Sequence, residues 1–141
     1  MTTKDDLISD FEFLDNWEDR YRHVIELGKA LPPFPESERN EANKVQGCAS
    51  QVWLISELKT TPKGTVLEFQ GDSDAHIVKG LVAVLLTLVS GHSPQEILET
   101  DVLAIFRQIG LEGHLTPQRS NGLRSMVERI RNHARAALAT A

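Results

Sequence analysis

Residues 51–70 read QVWLISELKTTPKGTVLEFQ, and this stretch decides the fold. Apolar and polar side chains alternate with a period of two from Gln51 to Lys59, and again over TVLEFQ, residues 65–70. Such alternation is typical of β-strands with one buried face. The intervening TTPKG contains a proline and a glycine, which favour a turn. The stretch therefore predicts an antiparallel hairpin with strands at about 51–59 and 65–70.

On both sides of the hairpin the apolar period becomes that of a helix. Residues 15–31 form an amphipathic helical pattern that Pro32 and Pro33 end. A second pattern runs from Ser73 or Asp74 to Ser90 and is apolar nearly all round, so this helix should be engulfed by the core. Further helices are predicted at about 4–14, from the capping box SPQE (93–96), at 102–109, and from TPQRS (116–120) onwards. The predicted fold class is α+β, a small antiparallel sheet packed against several helices.

Length and composition limit the classes of partner. The 141 residues form a single predicted domain, 1–141, with a net charge of −5. The sequence has no cluster of basic residues of the kind that would suggest nucleic-acid binding. The longest apolar stretch, 77–89, is too short to span a membrane, and the acidic N-terminus does not resemble a targeting peptide. We therefore expect a cytoplasmic protein. Four arginines near the C-terminus are interpreted as a solvated helix face: Arg124, Arg129, Arg131 and Arg135.

The chain's single cysteine lies directly before the first strand, in VQGCASQVWL (45–54). One cysteine excludes an intramolecular disulfide. We expect Cys48 in the loop at the exposed end of the strand, where Gly47 permits a tight turn and Ala49 and Ser50 leave space around the sulfur. A thiolate is a nucleophile, although an unperturbed thiol is only a few per cent ionised at neutral pH. From these residues alone, a reactive thiol and an inert one both remain open.

Four segments together carry a resemblance to a known family. They are VQGCASQVWL itself, NWEDRYRHVIELGKALPPFP (16–35), GDSDAHIVKGLVAVLL (71–86) and HLTPQRSNGLRSMVERIR (114–131). In order and spacing they resemble the SufE-type sulfur-acceptor family, which partners cysteine desulfurases in iron–sulfur cluster assembly. The resemblance covers about residues 17–131. Ala49 departs from it, since relatives often carry Gln there, and this difference is expected to affect partner preference rather than the thiol.

The resemblance implies that Cys48 accepts sulfur as a persulfide. The donor would be a SufS-like cysteine desulfurase, whose pyridoxal phosphate is the partner's cofactor; no cofactor of this protein's own is expected. The recipient would be a SufBCD-like assembly scaffold. The protein would thus be a sulfur carrier that stimulates the desulfurase and has no autonomous turnover. Which desulfurase or paralogue group it serves, and whether it is a monomer or a homodimer, remain open.

The resemblance also implies supporting roles for neighbours of Cys48. Gly47, Ser50 and Gln51 belong to its loop, Asp74 would lie near that loop, and Arg119 would lie near the desulfurase contact surface. The residues alone favour a different role for GDSDAH (71–76). There, Ser73 or Asp72 would cap the following helix, with Asp74 stabilising the helix N-terminus.

Three other functions remain to be separated from sulfur acceptance. A metal or cluster scaffold would use Cys48, with Asp72 or Asp74 and a histidine. A cysteine hydrolase would pair Cys48 with His76 or His114 as base. A binding adapter would not need the thiol at all. Metal content, turnover without a partner and the effect of Cys48→Ser distinguish these three functions.

Overall fold

The computed structural model describes residues 3–48 and 50–140, without the side chains of Glu112 and Thr140. Six α-helices and one two-stranded sheet confirm the predicted α+β class. The elements are α1 (Lys4–Phe13), α2 (Trp17–Lys29), β1 (Val52–Thr61), β2 (Gly64–Ser73), α3 (His76–Val89), α4 (Pro94–Glu99), α5 (Val102–Gln108) and α6 (Pro117–Thr140). Short 3₁₀ turns at Glu36–Glu38 and Glu112–His114 complete the order.

The hairpin pairs β1 and β2 in antiparallel register, from Val52 opposite Ser73 to Thr61 opposite Gly64. β1 continues two residues past its predicted end, and β2 begins one residue before and ends three residues past its predicted bounds. Pairing thus leaves only Pro62 and Lys63 as the connection. The first residues of β1 are buried, whereas side chains nearer the turn are exposed. The end of the hairpin remote from the turn is therefore the one embedded in the molecule.

Helix α3 is the centre of the core, as its all-round apolar sequence predicts. Of its residues, those from Leu81 to Leu86 are all buried. It packs on β2 and on α2, and the approach to α2 is close: a Cβ at Gly80 would lie 2.3 Å from the carbonyl oxygen of Val24. The helix begins at His76, later than predicted, because β2 continues through Ser73. No helix in the described ranges is long and apolar enough to cross a membrane.

Helix α6 packs the apolar side chains of Leu123, Met126 and Ile130 into the core. The interpretation of its arginines as a solvated face is wrong for two of them. Arg129 donates to the carbonyl oxygen of Ala42 at 2.7 Å, and Arg131 donates to that of Leu98 at 3.0 Å. These long side chains bind carbonyl groups of segments that pack beside the helix. The capping box of α4 is confirmed, with hydrogen bonds between Ser93 and Glu96 in both directions.

Candidate functional site

Cys48 lies in a loop that is closed by backbone pairing at its base. The amide of Val45 donates to Val52 O at 2.8 Å, and the amide of Leu54 donates to Asn43 O at 3.0 Å. These bonds add residues 42–45, hereafter the stem, to the edge of β1. Residues 46–51, hereafter the Cys48 loop, connect the stem to β1. Ala49, which was predicted to leave space beside the sulfur, lies outside the described residues.

The backbone conformation at the start of the turn favours a glycine at position 47. Its φ of +87° falls in the left-handed region that side-chain-bearing residues avoid. A Cβ at this position would also lie 2.5 Å from Ser125 Oγ on α6. The backbone before Cys48 thus lies close to Ser125 of α6.

The thiol is half-buried, contrary to the expected position at an exposed end. Cys48 Sγ donates to the carbonyl oxygen of Gly122 on α6 at 3.5 Å. Beside it is a small cavity of about 20 Å³, room for about one small atom. The described residues that line this cavity are Cys48, Ser50, Val78, Leu81, Gln118, Arg119, Gly122 and Met126. The loop therefore turns its cysteine inward between α3 and α6.

The surroundings of Cys48 favour the protonated thiol. Burial raises the pKa of the Cys48 thiol. Its hydrogen-bond partner is a carbonyl oxygen, which accepts from an S–H group but offers nothing to a thiolate. In this conformation the sulfur is accordingly a poor nucleophile, and chemistry at Cys48 calls for a change in its environment.

Asp74 binds the far end of the Cys48 loop. Its carboxylate Oδ1 accepts from the amide of Gln51 at 3.0 Å, and its own amide donates to Gln51 O at 3.3 Å. The interpretation of GDSDAH as a helix cap is wrong: Ala75 is the N-cap of α3 and makes no side-chain capping bond. Ser73 Oγ instead accepts from the Ala75 amide. The side chains predicted to cap α3 are engaged elsewhere because the strand extends so far.

Asp72 is a buried carboxylate with two cationic partners. Its Oδ2 accepts from Arg39 Nε at 2.8 Å and Nη2 at 2.7 Å, and Lys79 Nζ lies 3.4 Å from Oδ1. Burial opposes ionisation, but the hydrogen bond from Arg39, the Ser73 amide and the charge of Lys79 outweigh it, so the pKa of Asp72 lies below its ordinary value. Asp72 thus joins the segment before the stem to β2 and α3.

The geometry gives the alternative sites no support. Within residues 3–48 and 50–140, no group of three or more His, Cys, Asp or Glu side chains could hold a metal ion. His114 stacks on Trp17 with 4.3 Å between ring centroids, and His76 is exposed at the start of α3. Neither histidine is among the described residues that line the Cys48 cavity.

Sequence reasoning missed most of the cavity wall. Arg119 and Ser50 were selected and do line the cavity, whereas Gly122, Gln118 and Met126 of α6 were not. One signal was available: a glycine inside a helical pattern, as in SNGL (120–123), marks a close approach in many proteins. It does not say which segment approaches.

Comparisons with known proteins agree with this architecture. Residues 5–134 match the family model described as SufE, Fe-S metabolism associated domain. An uncharacterized SufE-like protein of Rhizobium etli is 56% identical over 135 residues, which cover 96% of this chain and 91% of that protein. An uncharacterized SufE-like protein of Rhizobium meliloti is 57% identical over 134 residues, covering 95% and 96%.

A solved structure shows the same fold. The solution structure of a hypothetical protein from Thermus thermophilus matches with a TM-score of 0.77, and the match covers 96% of each chain. The two sequences are 24% identical, so this likeness concerns the fold alone.

Proposed function

Because this chain belongs to the SufE family, with a domain of iron–sulfur metabolism, we propose that Cys48 accepts sulfur from a cysteine desulfurase. Cys48 would carry that sulfur as a persulfide to an iron–sulfur assembly scaffold of the SufBCD-like kind. The observation that carries the proposal is the position of the thiol. The chain's single cysteine lies in a loop anchored at both ends, beside a cavity with room for about one atom.

The transfer is a thiol–disulfide type exchange with a persulfide as electrophile. Cys48 gives up its thiol proton, and the thiolate attacks the outer sulfur of a persulfide on the desulfurase. A new bond forms from Cys48 Sγ to that sulfur, and the sulfur–sulfur bond of the donor breaks. The donor cysteine departs as a thiolate and can take up the proton. No external oxidant or reductant is required, because the transferred sulfur keeps its oxidation level.

The resting environment of Cys48 makes this transfer dependent on the partner. Burial raises the pKa of the thiol, and the bond to Gly122 O is available only to the protonated form. Docking of the desulfurase would draw the loop outward and expose the sulfur, while the stem and the Asp74–Gln51 pair keep its two ends in place. The pyridoxal phosphate that releases sulfur from free cysteine belongs to the partner.

The proposal extends to the setting of the reaction. A free thiol persists in a reducing compartment, so we place the protein in the cytoplasm. The absence of a second cysteine from the sequence fits a carrier. A neighbouring thiol could attack the persulfide and release its sulfur as sulfide, and this chain has none to do so.

The decisive experiment is the mass of the intact protein after incubation with a cysteine desulfurase, its pyridoxal phosphate and free cysteine. We expect a species heavier by one or more sulfur atoms that reverts on treatment with a reductant. Cys48→Ser should fold normally, since a hydroxyl can also donate to Gly122 O, but should gain no sulfur and should not stimulate the desulfurase. A folded Cys48→Ser protein that stimulates fully would identify an adapter instead.

A panel of desulfurases distinguishes the family's main assembly pathway from a paralogous relay. The same mass measurement with each enzyme would show which donor loads Cys48. Loading by none of them, with a folded wild-type protein and active enzymes, would contradict the proposal.

A further inference from the structure

We propose that Arg129 is a positioning residue for Cys48: together with a neutral His133, it holds the stem of the Cys48 loop against α6. The role in sulfur transfer rests on the function proposed above. The positioning itself is a property of this chain and can be measured without any partner. It concerns contacts of α6 made by Arg129 and His133, which are not among the described residues that line the Cys48 cavity.

The guanidinium of Arg129 bonds to the stem at two points. Nη2 donates to Ala42 O at 2.7 Å, and Nη1 donates to Lys44 O at 3.4 Å. The planar guanidinium has five donors in a fixed arrangement, so it can engage two carbonyl groups of one strand at once. These carbonyls lie immediately before the Cys48 loop, and Arg129 is therefore a side chain that connects this part of the stem to α6.

The third side of the guanidinium is bound by His133, one helical turn further along α6. Arg129 Nε donates to His133 Nε2 at 3.2 Å. Because Arg129 is always a donor, Nε2 must be the unprotonated nitrogen, and the ring proton lies on Nδ1. Ser56 Oγ lies 2.6 Å from Nδ1 and accepts that proton in a hydrogen bond. This tautomer also excludes a Ser56–His133 catalytic pair, since Nδ1 carries a proton and cannot act as base.

A continuous series of hydrogen bonds thus runs from β1 through α6 to the stem. Its order is Ser56, His133, Arg129, then the carbonyls of residues 42 and 44. His133 faces the neutral hydroxyl of Ser56 on β1 and the charge of Arg129 on its own helix. It also faces the ring of Phe69 on β2, and the centroids of the Phe69 and His133 rings are 6.0 Å apart. Burial and the charge of Arg129 lower the pKa of His133.

Protonation of His133 would break this series at one defined bond. The imidazolium donates from both nitrogens, so Nε2 could no longer accept from Arg129, and two cations would face each other. The guanidinium would then turn away and release the stem carbonyls. Loss of this attachment would leave the stem held to β1 by its backbone bonds, with greater freedom for the loop that carries the thiol.

For sulfur transfer, this attachment would keep the stem fixed while the Cys48 loop moves. A thiol that must leave its cavity and return needs a mobile tip on a fixed base. Arg129 would fix the base at residues 42 and 44, so that motion is confined to the Cys48 loop. The expected result of losing Arg129 is therefore a cysteine that is more exposed at rest and less accurately returned to its position between α3 and α6.

The test compares Arg129→Met with Arg131→Met, a matched variant that removes an arginine–carbonyl contact elsewhere on α6. The readouts are amide hydrogen exchange over residues 43–48, the rate of Cys48 alkylation and the thermal unfolding temperature. Loss of two hydrogen bonds to carbonyls should increase exchange of the stem amides about tenfold, and alkylation severalfold. Arg131→Met should leave both within about twofold of wild type, since its partner Leu98 lies outside the stem.

A pH series and a second pair of variants separate positioning from general stability. Stem protection, corrected for intrinsic exchange, should fall in wild type as acid protonates His133. It should not fall in His133→Gln, whose amide oxygen can accept from Arg129 but does not titrate. Arg129→Lys keeps the positive charge but lacks the planar guanidinium that reaches two carbonyl groups, so its rate of stem amide exchange should resemble that of Arg129→Met. The proposal is overturned if Arg129→Met lowers the unfolding temperature while stem exchange and alkylation stay at wild-type rates.

The effect of Arg129 on sulfur transfer is measured in a separate experiment. Arg129→Met should still be loaded by the desulfurase, with a persulfide that is lost to reductant faster than in wild type. If wild-type Cys48 gains no sulfur at all, the proposed function fails, whereas the exchange and alkylation results stand on their own. If loading succeeds and Arg129→Met exchanges like wild type, only the positioning role fails.

Discussion

Cys48 Sγ donates to the carbonyl oxygen of Gly122 across 3.5 Å, although 74 residues separate them in the chain. A Cβ at Gly122 would lie 3.5 Å from Sγ and 3.7 Å from Cα of Cys48, ordinary van der Waals contact. The glycine is therefore not needed to accommodate the bare thiol. Its missing side chain leaves space beside the sulfur, where a second sulfur would lie about 2.05 Å from Sγ.

Gly122→Ala should fold and retain or slightly increase its free energy of unfolding, because alanine favours a helix by about 1 kcal/mol over glycine. Its methyl group would crowd a persulfide on Cys48. Overpacking of this kind costs about 1–3 kcal/mol and would destabilise the persulfide form of Cys48. The reductant should then remove the persulfide about five- to hundredfold faster than in wild type. The measurement is the decay of the heavier species by mass, with Asn121→Ala, an exposed neighbour on α6, as control. Equal decay rates would place the second sulfur elsewhere.

Alkylation of Cys48 should require a higher pH than alkylation of a free thiol. Burial raises its pKa, so the thiolate fraction at neutral pH is smaller than that of an unperturbed thiol with a pKa of about 8.5. The alkylation rate of the native protein is measured against pH beside a peptide of residues 45–51. A midpoint at or below that of the peptide would show that the loop does not keep the thiol buried in solution.

Asp72→Asn should destabilise the protein at neutral pH by about 1–3 kcal/mol, because it removes one partner of a largely buried charged pair. The pKa of Asp72 is lower in the folded than in the unfolded chain. Its contribution to stability is therefore complete above the unfolded value of about 3.9 and is lost as pH falls through the folded value.

Urea unfolding of wild type and Asp72→Asn from pH 7 down to pH 3 tests this dependence. The difference between the two proteins should shrink below about pH 4. Asp15→Asn, a change at an exposed side chain between α1 and α2, serves as the control. A constant difference across the whole range would mean that the ion pairs with Arg39 and Lys79 are not its source.

Arg119→Ala should weaken sulfur transfer mainly through docking. A guanidinium suits carboxylates on a partner surface, and a desolvated contact worth about 1–3 kcal/mol gives a five- to hundredfold weaker half-saturation of the desulfurase. The maximal rate should change less. Rates are measured against concentration at two salt levels, with the exposed Arg124→Ala on the same helix as control.

In the structure Arg119 lines the Cys48 cavity, so its loss can also act on the thiol directly. A collapsed maximal rate with unchanged half-saturation would assign its effect to the thiol or the loop rather than to docking. Alkylation of Cys48 in Arg119→Ala, measured in the absence of partner, tells these apart: a docking role leaves that rate unchanged.

The sequence by itself determined the features that depend on neighbours along the chain. Alternation over residues 51–70 predicts the hairpin, and the apolar pattern before Ser90 predicts a helix inside the core. The capping box at Ser93 is likewise local, since its two partners are three residues apart. Four short segments were enough to identify the family and to select Cys48.

Only the tertiary structure decided which groups those elements bring together. No pattern in the sequence predicts three of these contacts. They are the bond from Cys48 to Gly122, the contact of Arg129 with the carbonyl of Ala42, 87 residues away, and the pairing of Arg39 with Asp72, 33 residues away. Burial of the thiol, the lowered pKa of Asp72 and the attachment of the stem all follow from such contacts. Hydrogen bonds and desolvation depend on distances in space, and these are fixed only when the helices pack against the hairpin.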